Sequence, residues 1–211
     1  MSAAERSIGL IDYGAGNYAS VRNALEHIDA PVFAVKTPED LARASHVVLP
    51  GVGAYAACMR RLEGIGMVDP LRELIAAGDK PFLGICVGMQ LLAGIGREFE
   101  DYPGLGAIEG ECVRMEDAIG AGLRLPHIGW NALHVRYDVP LFDGLGDTPH
   151  FYFVHSYAVR PEDDSVVAAT VDYGVDVTAV VARGRTYGVQ FHPEKSQRAG
   201  LKLLENFVSL N

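Results

Sequence analysis

The chain has 211 residues, of which 49% are hydrophobic and 21% are charged, a composition that fits one globular domain over residues 1–211 with a sizeable core. A formal net charge of −9 argues against a nucleic-acid surface, because binding through counterion release requires clustered Lys and Arg. The three cysteines, Cys58, Cys86 and Cys112, lack C-x-x-C spacing, so neither a disulfide framework nor a zinc site is predicted.

The N-terminal residues 1–7 lack the charged and apolar regions of a signal peptide. No apolar stretch in the sequence approaches the roughly 20 residues that a membrane-spanning helix requires. We therefore expect a soluble, cytoplasmic protein that does not bind membranes.

The first half of the chain alternates short apolar runs with helical patterns, as βαβ units do. Strands are predicted at residues 8–11, 32–35, 46–49 and 81–85. Helices are predicted at residues 19–28, after the N-cap Thr37, and over residues 54–77 with interruptions at Gly64 and Gly66. Continuous apolar strands between helices predict a three-layer α/β fold, in which helices cover both faces of a mostly parallel sheet.

The second half has a different pattern. From about residue 105 to residue 190, short β-rich runs are separated by Gly and Asp, which predicts added antiparallel strands. A closing helix carries Leu201, Leu204 and Val208 on one face, and we expect these three side chains to be buried against the sheet.

Cys86 lies where the apolar strand at residues 81–85 breaks into small residues. Gly84 and Gly88 flank it, so a sharp turn between this strand and a following helix is sterically possible. Such a nucleophile elbow lifts the sulfur above the sheet edge, where the helix N-terminus stabilises negative charge. The alternative is a small buried hydrophobic residue, as most free cysteines are, and only a partner base distinguishes the two.

The best candidate for that base is His192, with Glu194 as the group that orients it. In an extended chain, residues two apart project to the same side, so the carboxylate can reach the imidazole. Taken separately, a His-Pro-Glu segment is usually a solvated turn. Together with Cys86, however, these residues supply the nucleophile, base and orienting group of a catalytic triad.

With these motifs in place, the chain resembles the class I (triad) glutamine amidotransferases, and more narrowly the glutaminase subunits of imidazole glycerol phosphate synthases. The matching blocks extend over nearly the whole chain: residues 12–17, 50–53, 84–90, 129–131, 153–157 and 188–196. The resemblance implies hydrolysis of L-glutamine to glutamate and ammonia without a cofactor or metal. Cys86 would attack the side-chain amide, His192 would transfer protons, and Glu194 would orient His192.

The resemblance also implies the groups that surround the reacting atoms. The backbone N–H of Val87, the residue after the nucleophile, is expected in the oxyanion hole. A second donor would come from Gly51, Val52 or Gly53, whose peptide is either a rigid turn or rotates into place when a partner binds. The side chains of the glutamine site would be Gln90, His155, Ser156 and Tyr157.

The implied partner is a cyclase subunit with a (β/α)8 barrel, which forms a heterodimer with this chain and uses the ammonia to convert PRFAR into imidazole glycerol phosphate and AICAR. The residues expected near that interface are Asp12, Tyr13, Gly14, Asn17, Trp130, Asn131 and Lys195. For Trp130, burial in the core is an equally good interpretation of the sequence. Residues 12–17 contain G-x-G but lack the third glycine of a dinucleotide-binding fingerprint.

Three other functions share some of these features. A glutaminase subunit for anthranilate, purine or pyridoxal phosphate synthesis would share the triad, but should lack the pairing of residues 129–131 with residues 153–157. A general cysteine hydrolase, such as a γ-glutamyl peptidase, would act without a partner. A non-catalytic subunit with this fold is disfavoured because Cys86, His192 and Glu194 are all present.

Overall fold

A computed structural model describes residues 6–14, 16–115 and 124–211. Residues 1–5 of the N-terminal segment discussed above lie outside the described residues, as does Ala15 of the 12–17 block. The α-helices within the described residues are α1 (Tyr18–His27), α2 (Pro38–Arg43), α3 (Tyr55–Gly64), α4 (Val68–Ala77), α5 (Val87–Gln90) and α6 (Gln197–Ser209). The strands are β1 (Ile8–Ile11), β2 (Val32–Val35), β3 (His46–Gly51), β4 (Phe82–Cys86), β5 (Ala93–Arg97), β6 (Asp101–Pro103), β7 (Ile108–Arg114), β8 (His127–Ala132), β9 (His134–Val135), β10 (His150–His155), β11 (Tyr157–Pro161), β12 (Val167–Asp172), β13 (Asp176–Arg183) and β14 (Thr186–Val189).

The largest sheet in the described part of the chain has eight strands in the order β2-β1-β3-β4-β14-β13-β12-β9. The first five strands of this order are parallel, and the remaining three continue the sheet in antiparallel pairs. Every residue of β1, β3, β4 and β14 is buried, as expected for parallel strands that are covered on both faces. The predicted α/β fold class is therefore confirmed.

Two smaller sheets hold other strands of the second half. Strands β8 and β10 form an antiparallel pair, and a second sheet has the order β11-β7-β5-β6. The strands of residues 105–190 pair in antiparallel fashion as predicted, with two exceptions: β14 is parallel to β4, and β7 is parallel to β5. Strand β5 follows the elbow directly, so the chain must cross over before β7 can run beside it.

Local sequence signals explain the helix boundaries of the first half. Thr37 and Asp40 form a capping box at the start of α2, with Pro38 as the first helical residue. The predicted interruption of the helical segments over residues 54–77 is present: α3 ends at Gly64, and Gly66 takes a φ of 66° before α4 begins.

The buried face of α6 differs from the prediction. Leu203, Leu204 and Phe207 are fully buried, whereas Leu201 and Val208 are only half-buried. Only Leu204 of the three predicted residues is therefore in the core. The helix is turned so that Asn206 also faces inward, where its Nδ2 donates hydrogen bonds to the carbonyl oxygens of Leu141 and Asp143.

None of the helices in the described residues has the length and apolarity needed to cross a bilayer.

Candidate active site

Three neighbouring parallel strands of the large sheet end beside one another at the predicted site. Gly51 at the end of β3 is in register with Cys86 at the end of β4, and β14 lies on the other side of β4. His192 follows β14 by three residues. The carboxyl ends of parallel strands share one edge of the sheet, which is where α/β proteins place their ligand sites. The order of these strands thus brings residues separated by more than 100 positions into one cavity.

The predicted elbow at Cys86 is present and is imposed by backbone packing. Cys86 takes a φ of 55°, which is strained for a residue with a side chain. A Cβ atom on Gly84 would lie 2.5 Å from the carbonyl oxygen of Gly88, and one on Gly88 would overlap the carbonyl oxygen of Leu49. The turn and the closely packed strand β3 therefore require glycine at both positions. The helix that follows, α5, has only four residues.

His192 and Glu194 form the predicted pair, although over a different backbone. The Nδ1 atom of His192 is 2.8 Å from Oε1 of Glu194, and both side chains are buried. The prediction assumed an extended chain, but residues Pro193–Lys195 form a 3-10 turn. Ser196 stabilises this turn, because its hydroxyl donates to the carbonyl oxygen of His192 at 2.6 Å and accepts from the N–H of Tyr152 at 3.0 Å.

The environment favours a charged His192–Glu194 pair. Burial opposes protonation of His192, but its interactions with Cys86 and Glu194 outweigh burial and raise the pKa of the imidazole to about 9. Burial would raise the pKa of Glu194, yet the interactions with His192 and Asn17 lower it. The Nε2 atom of His192 is buried and has no hydrogen-bond partner among the described residues. That nitrogen is therefore free to exchange a proton within the cavity that it shares with Cys86.

Asn17 belongs to this pair as well, a role that the sequence did not reveal. Its Nδ2 donates to Oε1 of Glu194 at 2.7 Å and lies 3.4 Å from Nδ1 of His192. The residue occupies the N-cap position of α1 with a left-handed φ of 75°, which asparagine tolerates better than most residues. An Asn at the end of a Gly-containing turn was the available signal, but it did not indicate which side chain the amide would meet.

A cavity of about 330 Å³ opens above Cys86 and collects most of the predicted site residues. Its lining residues are Val52, Gly53, Cys86, Val87, Gln90, Glu98, Pro126, Val154, His155, Ser156, Tyr157, His192 and Lys195. Glu98, Pro126 and Val154 were not predicted as site residues: no motif marks Glu98 or Pro126, and only residues 155–157 of the block that contains Val154 were assigned a role. Glu98 is held in place by the N–H of Tyr55, which donates to its carboxylate at 2.6 Å.

The predicted oxyanion loop lies against the elbow. The hydroxyl of Tyr13 donates to the carbonyl oxygen of Pro50 at 2.8 Å, and the thiol of Cys58 donates to that of Val52 at 3.6 Å. The carbonyl of Val52 and the N–H of Gly53 belong to the same peptide group, and the two point in opposite directions in a trans peptide. Because the carbonyl faces Cys58, the N–H of Gly53 points away from Cys58. Gly51 does not line the cavity, since it packs so tightly that a Cβ would lie 2.8 Å from the nitrogen of Gly88.

The predicted glutamine-binding residues form one wall of the cavity, and their polar groups are already connected. Nε2 of Gln90 donates to the carbonyl oxygen of Tyr157 at 3.1 Å, and Nδ1 of His155 donates to the same oxygen at 2.9 Å. Nε2 of His155 lies 3.0 Å from Nδ1 of His127. Both ring nitrogens of His155 are thus engaged within the protein, and burial lowers its pKa to about 3. His155 therefore contributes to the wall as a neutral ring.

The residues expected at a partner interface have different environments. Tyr13 is buried beneath the oxyanion loop, where its hydroxyl supports that loop. Trp130 is 44% exposed, which rules out burial in the core. Lys195 is exposed at the rim of the cavity. The four remaining residues of this set are held by polar contacts: Asp12 pairs with Lys36 at 3.5 Å, the carbonyl oxygen of Gly14 accepts from Arg61, Asn17 donates to Glu194, and Asn131 donates to the carbonyl oxygen of Asp172.

Known proteins resemble this chain in sequence and in fold. The family model described as "Glutamine amidotransferase class-I" matches residues 9–210. The imidazole glycerol phosphate synthase subunit HisH of Desulfitobacterium hafniense is 46% identical over 200 residues, covering 95% of this chain and 92% of the relative. HisH of Aromatoleum aromaticum is 47% identical over 212 residues, covering 96% and 97%.

Among solved structures, PurLQS from Thermotoga maritima has the same fold, with a TM-score of 0.74 at 18% identity over 96% of this chain and 97% of that one. The match in sequence covers the segments that form the cavity, and the match in fold covers the sheet that positions them. The chain therefore belongs to the class-I glutamine amidotransferase family, and within it to the HisH subunits of imidazole glycerol phosphate synthase.

Proposed function

We propose that the chain hydrolyses L-glutamine with a Cys86–His192–Glu194 triad and passes the ammonia to a cyclase subunit in histidine biosynthesis. The observation that supports this most directly is the convergence of the three side chains at one cavity of about 330 Å³, in a chain of the HisH family. A volume of this order suits a small metabolite such as an amino acid.

The chemistry follows from the geometry. The Cys86 sulfur attacks the side-chain carbonyl carbon of glutamine, while the proton of its thiol is already held on Nε2 of His192, whose pKa of about 9 keeps the imidazole protonated at neutral pH. That proton then goes to the departing ammonia as the C–N bond breaks, leaving a γ-glutamyl thioester. His192 next takes a proton from water, which attacks the thioester, releases glutamate and restores the thiol. Glu194 and Asn17 hold the imidazole in place during both steps.

The negative charge on the carbonyl oxygen needs donors that are already in position. The N–H of Val87, next to the nucleophile, is the first proposed donor, and the N–H of Gly53, a residue that lines the same cavity, is the second. The loss of one such donor typically lowers the rate about 10²- to 10³-fold. Gln90, Ser156 and Tyr157 would contact the amino-acid portion of glutamine.

The proposed partner is a cyclase subunit that forms a heterodimer with this chain. The names of the relatives describe a subunit of imidazole glycerol phosphate synthase, which supports a partner that consumes the ammonia. Trp130 and Lys195 are exposed side chains, Lys195 at the rim of the cavity, and both are proposed to contact that partner. A cytoplasmic location is part of the proposal, because a nucleophilic thiol needs a reducing compartment.

Glutamate release from L-glutamine tests this function. The protein is assayed alone and with a cyclase subunit plus its nucleotide substrate, next to a Cys86→Ala variant and a Cys112→Ala variant. We expect the mixture to be faster than the protein alone, activity to be lost in Cys86→Ala, and activity to be retained in Cys112→Ala, which removes a buried cysteine that does not line the cavity. Equal activity with and without the partner would indicate a stand-alone hydrolase instead.

A further inference from the structure

We propose that Gln190 is a further catalytic residue, whose side-chain amide donates a hydrogen bond to the sulfur of Cys86 and stabilises the thiolate. Gln190 is fully buried, and its Nε2 lies 3.7 Å from Sγ of Cys86. Its backbone N–H donates to the carbonyl oxygen of Ala179 at 2.9 Å, which anchors the residue to β13. The amide is thus held at the sulfur by the sheet itself.

The direction of the Gln190 amide follows from its neighbours. The carbonyl oxygen of Tyr157 can only accept, so the side-chain group of Gln90 that faces it at 3.1 Å must be the NH2 group. The same Nε2 of Gln90 lies 3.1 Å from the amide of Gln190, which must therefore present its oxygen, Oε1. The NH2 group of Gln190 is then left to face the sulfur. The backbone carbonyl of Tyr157, acting through Gln90, thereby orients a donor at the nucleophile.

Gln190 and His192 act on the sulfur in different ways. The intervening residue, Phe191, is fully buried and stacks on Phe151 with ring centroids 4.0 Å apart. The chain bends at residues 190 and 191, and the polar side chains on either side of Phe191 both reach the site: Gln190 lies against the sulfur of Cys86, and His192 lines the same cavity as Cys86. His192 takes up the thiol proton, whereas Gln190 keeps both of its protons and supplies only a hydrogen bond. Hydrogen bonds to charged groups are stronger than those between neutral groups.

Alkylation of Cys86 by iodoacetamide as a function of pH tests this role, with the modified peptide quantified by mass spectrometry. Only the thiolate reacts, so the rate reports how much of it is present. In Gln190→Leu, we expect the rate at neutral pH to fall roughly tenfold and the profile to move to higher pH, because a hydrogen bond to a charged group is lost. In Gln190→Glu, we expect a larger fall, because a carboxylate would face the thiolate.

Asn206→Leu is the matched control, since it also removes a buried amide that makes two hydrogen bonds, but in α6 and outside the cavity. We expect its Cys86 profile to match that of the unaltered protein. Cys58 and Cys112 serve as internal references, because burial raises the pKa of both thiols. An unchanged Cys86 profile in Gln190→Leu, or the same shift in Asn206→Leu, would overturn the proposal.

A second variant, Gln90→Met, tests the orientation of the Gln190 amide even where Gln190→Leu does not fold. Gln90→Met removes the donor that holds Oε1 of Gln190, so the amide can rotate, and we expect a smaller shift in the same direction. No shift in Gln90→Met would contradict the assigned orientation. The role itself rests on the proposed glutaminase function. Alkylation requires neither glutamine nor a partner, however, so failure of the glutaminase assay and failure of the hydrogen bond would be distinguished.

Discussion

The parallel and antiparallel regions of the molecule contribute different things to the site. The parallel strands β3, β4 and β14 end in the proposed oxyanion loop, nucleophile and base, which are the groups that touch the reacting atoms. The smaller sheets contribute the wall residues His155, Ser156 and Tyr157. Chemistry requires positions that are held within a fraction of an ångström, and the buried parallel strands provide them. A wall needs shape and a few polar contacts, which added strands can supply.

The glycines of the elbow and the glycines on the surface differ in how closely the surrounding backbone packs. At the elbow, glycines allow one main chain to touch another, as between Gly88 and Leu49. Several glycines elsewhere face open space, among them Gly64 at the end of α3. The contrast predicts that a single methyl group has opposite effects in the two settings.

The largest expected effect is that of Gly88→Ala. The added methyl group would overlap a backbone oxygen of β3, which cannot move aside as a side chain does. We expect a loss of more than about 3 kcal/mol of unfolding free energy, at or beyond the usual range for overpacking. Gly64→Ala is the control and should be neutral or stabilising, since nothing lies within 4 Å of its Cβ. Urea unfolding of both variants measures the difference, and similar stabilities would contradict the packing argument.

The next effect concerns pH and a buried histidine of the parallel region. Burial lowers the pKa of His46 to about 4, although its Nε2 is 3.0 Å from the carbonyl oxygen of Leu210. Between pH 6.5 and 4 the unfolded chain binds a proton at this residue and the folded chain does not. The unfolding free energy should therefore fall as the pH falls through this window, by about 1.4 kcal/mol per pH unit for one proton.

His46→Phe removes that titration, so its stability should fall less steeply on acidification than that of the unaltered protein. Urea unfolding at intervals between pH 7 and pH 4 gives both slopes. His155, in the antiparallel region, has a pKa lowered to about 3 by burial and remains in both proteins, so a slope remains in the variant. Parallel curves for the two proteins would contradict the assignment to His46.

The smallest effect separates Asn17 from a comparable asparagine in the antiparallel region. Asn17→Ala removes the amide that donates to Glu194, and we expect glutamate release to fall about tenfold in kcat, which corresponds to a hydrogen bond to a charged group. Asn131→Ala removes a hydrogen bond to the carbonyl oxygen of Asp172 and should change the kcat of the isolated chain little. Equal losses in both variants would show that Asn17 does not act through the triad.

Sequence patterns predicted the framework of the site because those patterns are local. Gly84, Cys86 and Gly88 predicted the elbow, and the spacing of His192 and Glu194 predicted their contact, although the turn between them differs. The face of α6 was placed incorrectly, since neighbouring apolar positions such as Leu201 and Leu203 differ only in how the helix rotates against the sheet. Trp130 fitted either the core or an interface, because one aromatic residue in a strand does not show whether that face of the strand is covered.

The sequence by itself determined the α/β class, the parallel strands of the first half and the candidate triad. Each of these depends on a local pattern: apolar runs of residues, glycines at turns, or residues two positions apart. The tertiary structure alone decided which distant side chains meet: Asn17 with Glu194, Gln190 with Cys86, and His127 with His155. Those contacts depend on the order of the strands and the rotation of each side chain. Both result from the packing of the whole core, which no single segment encodes.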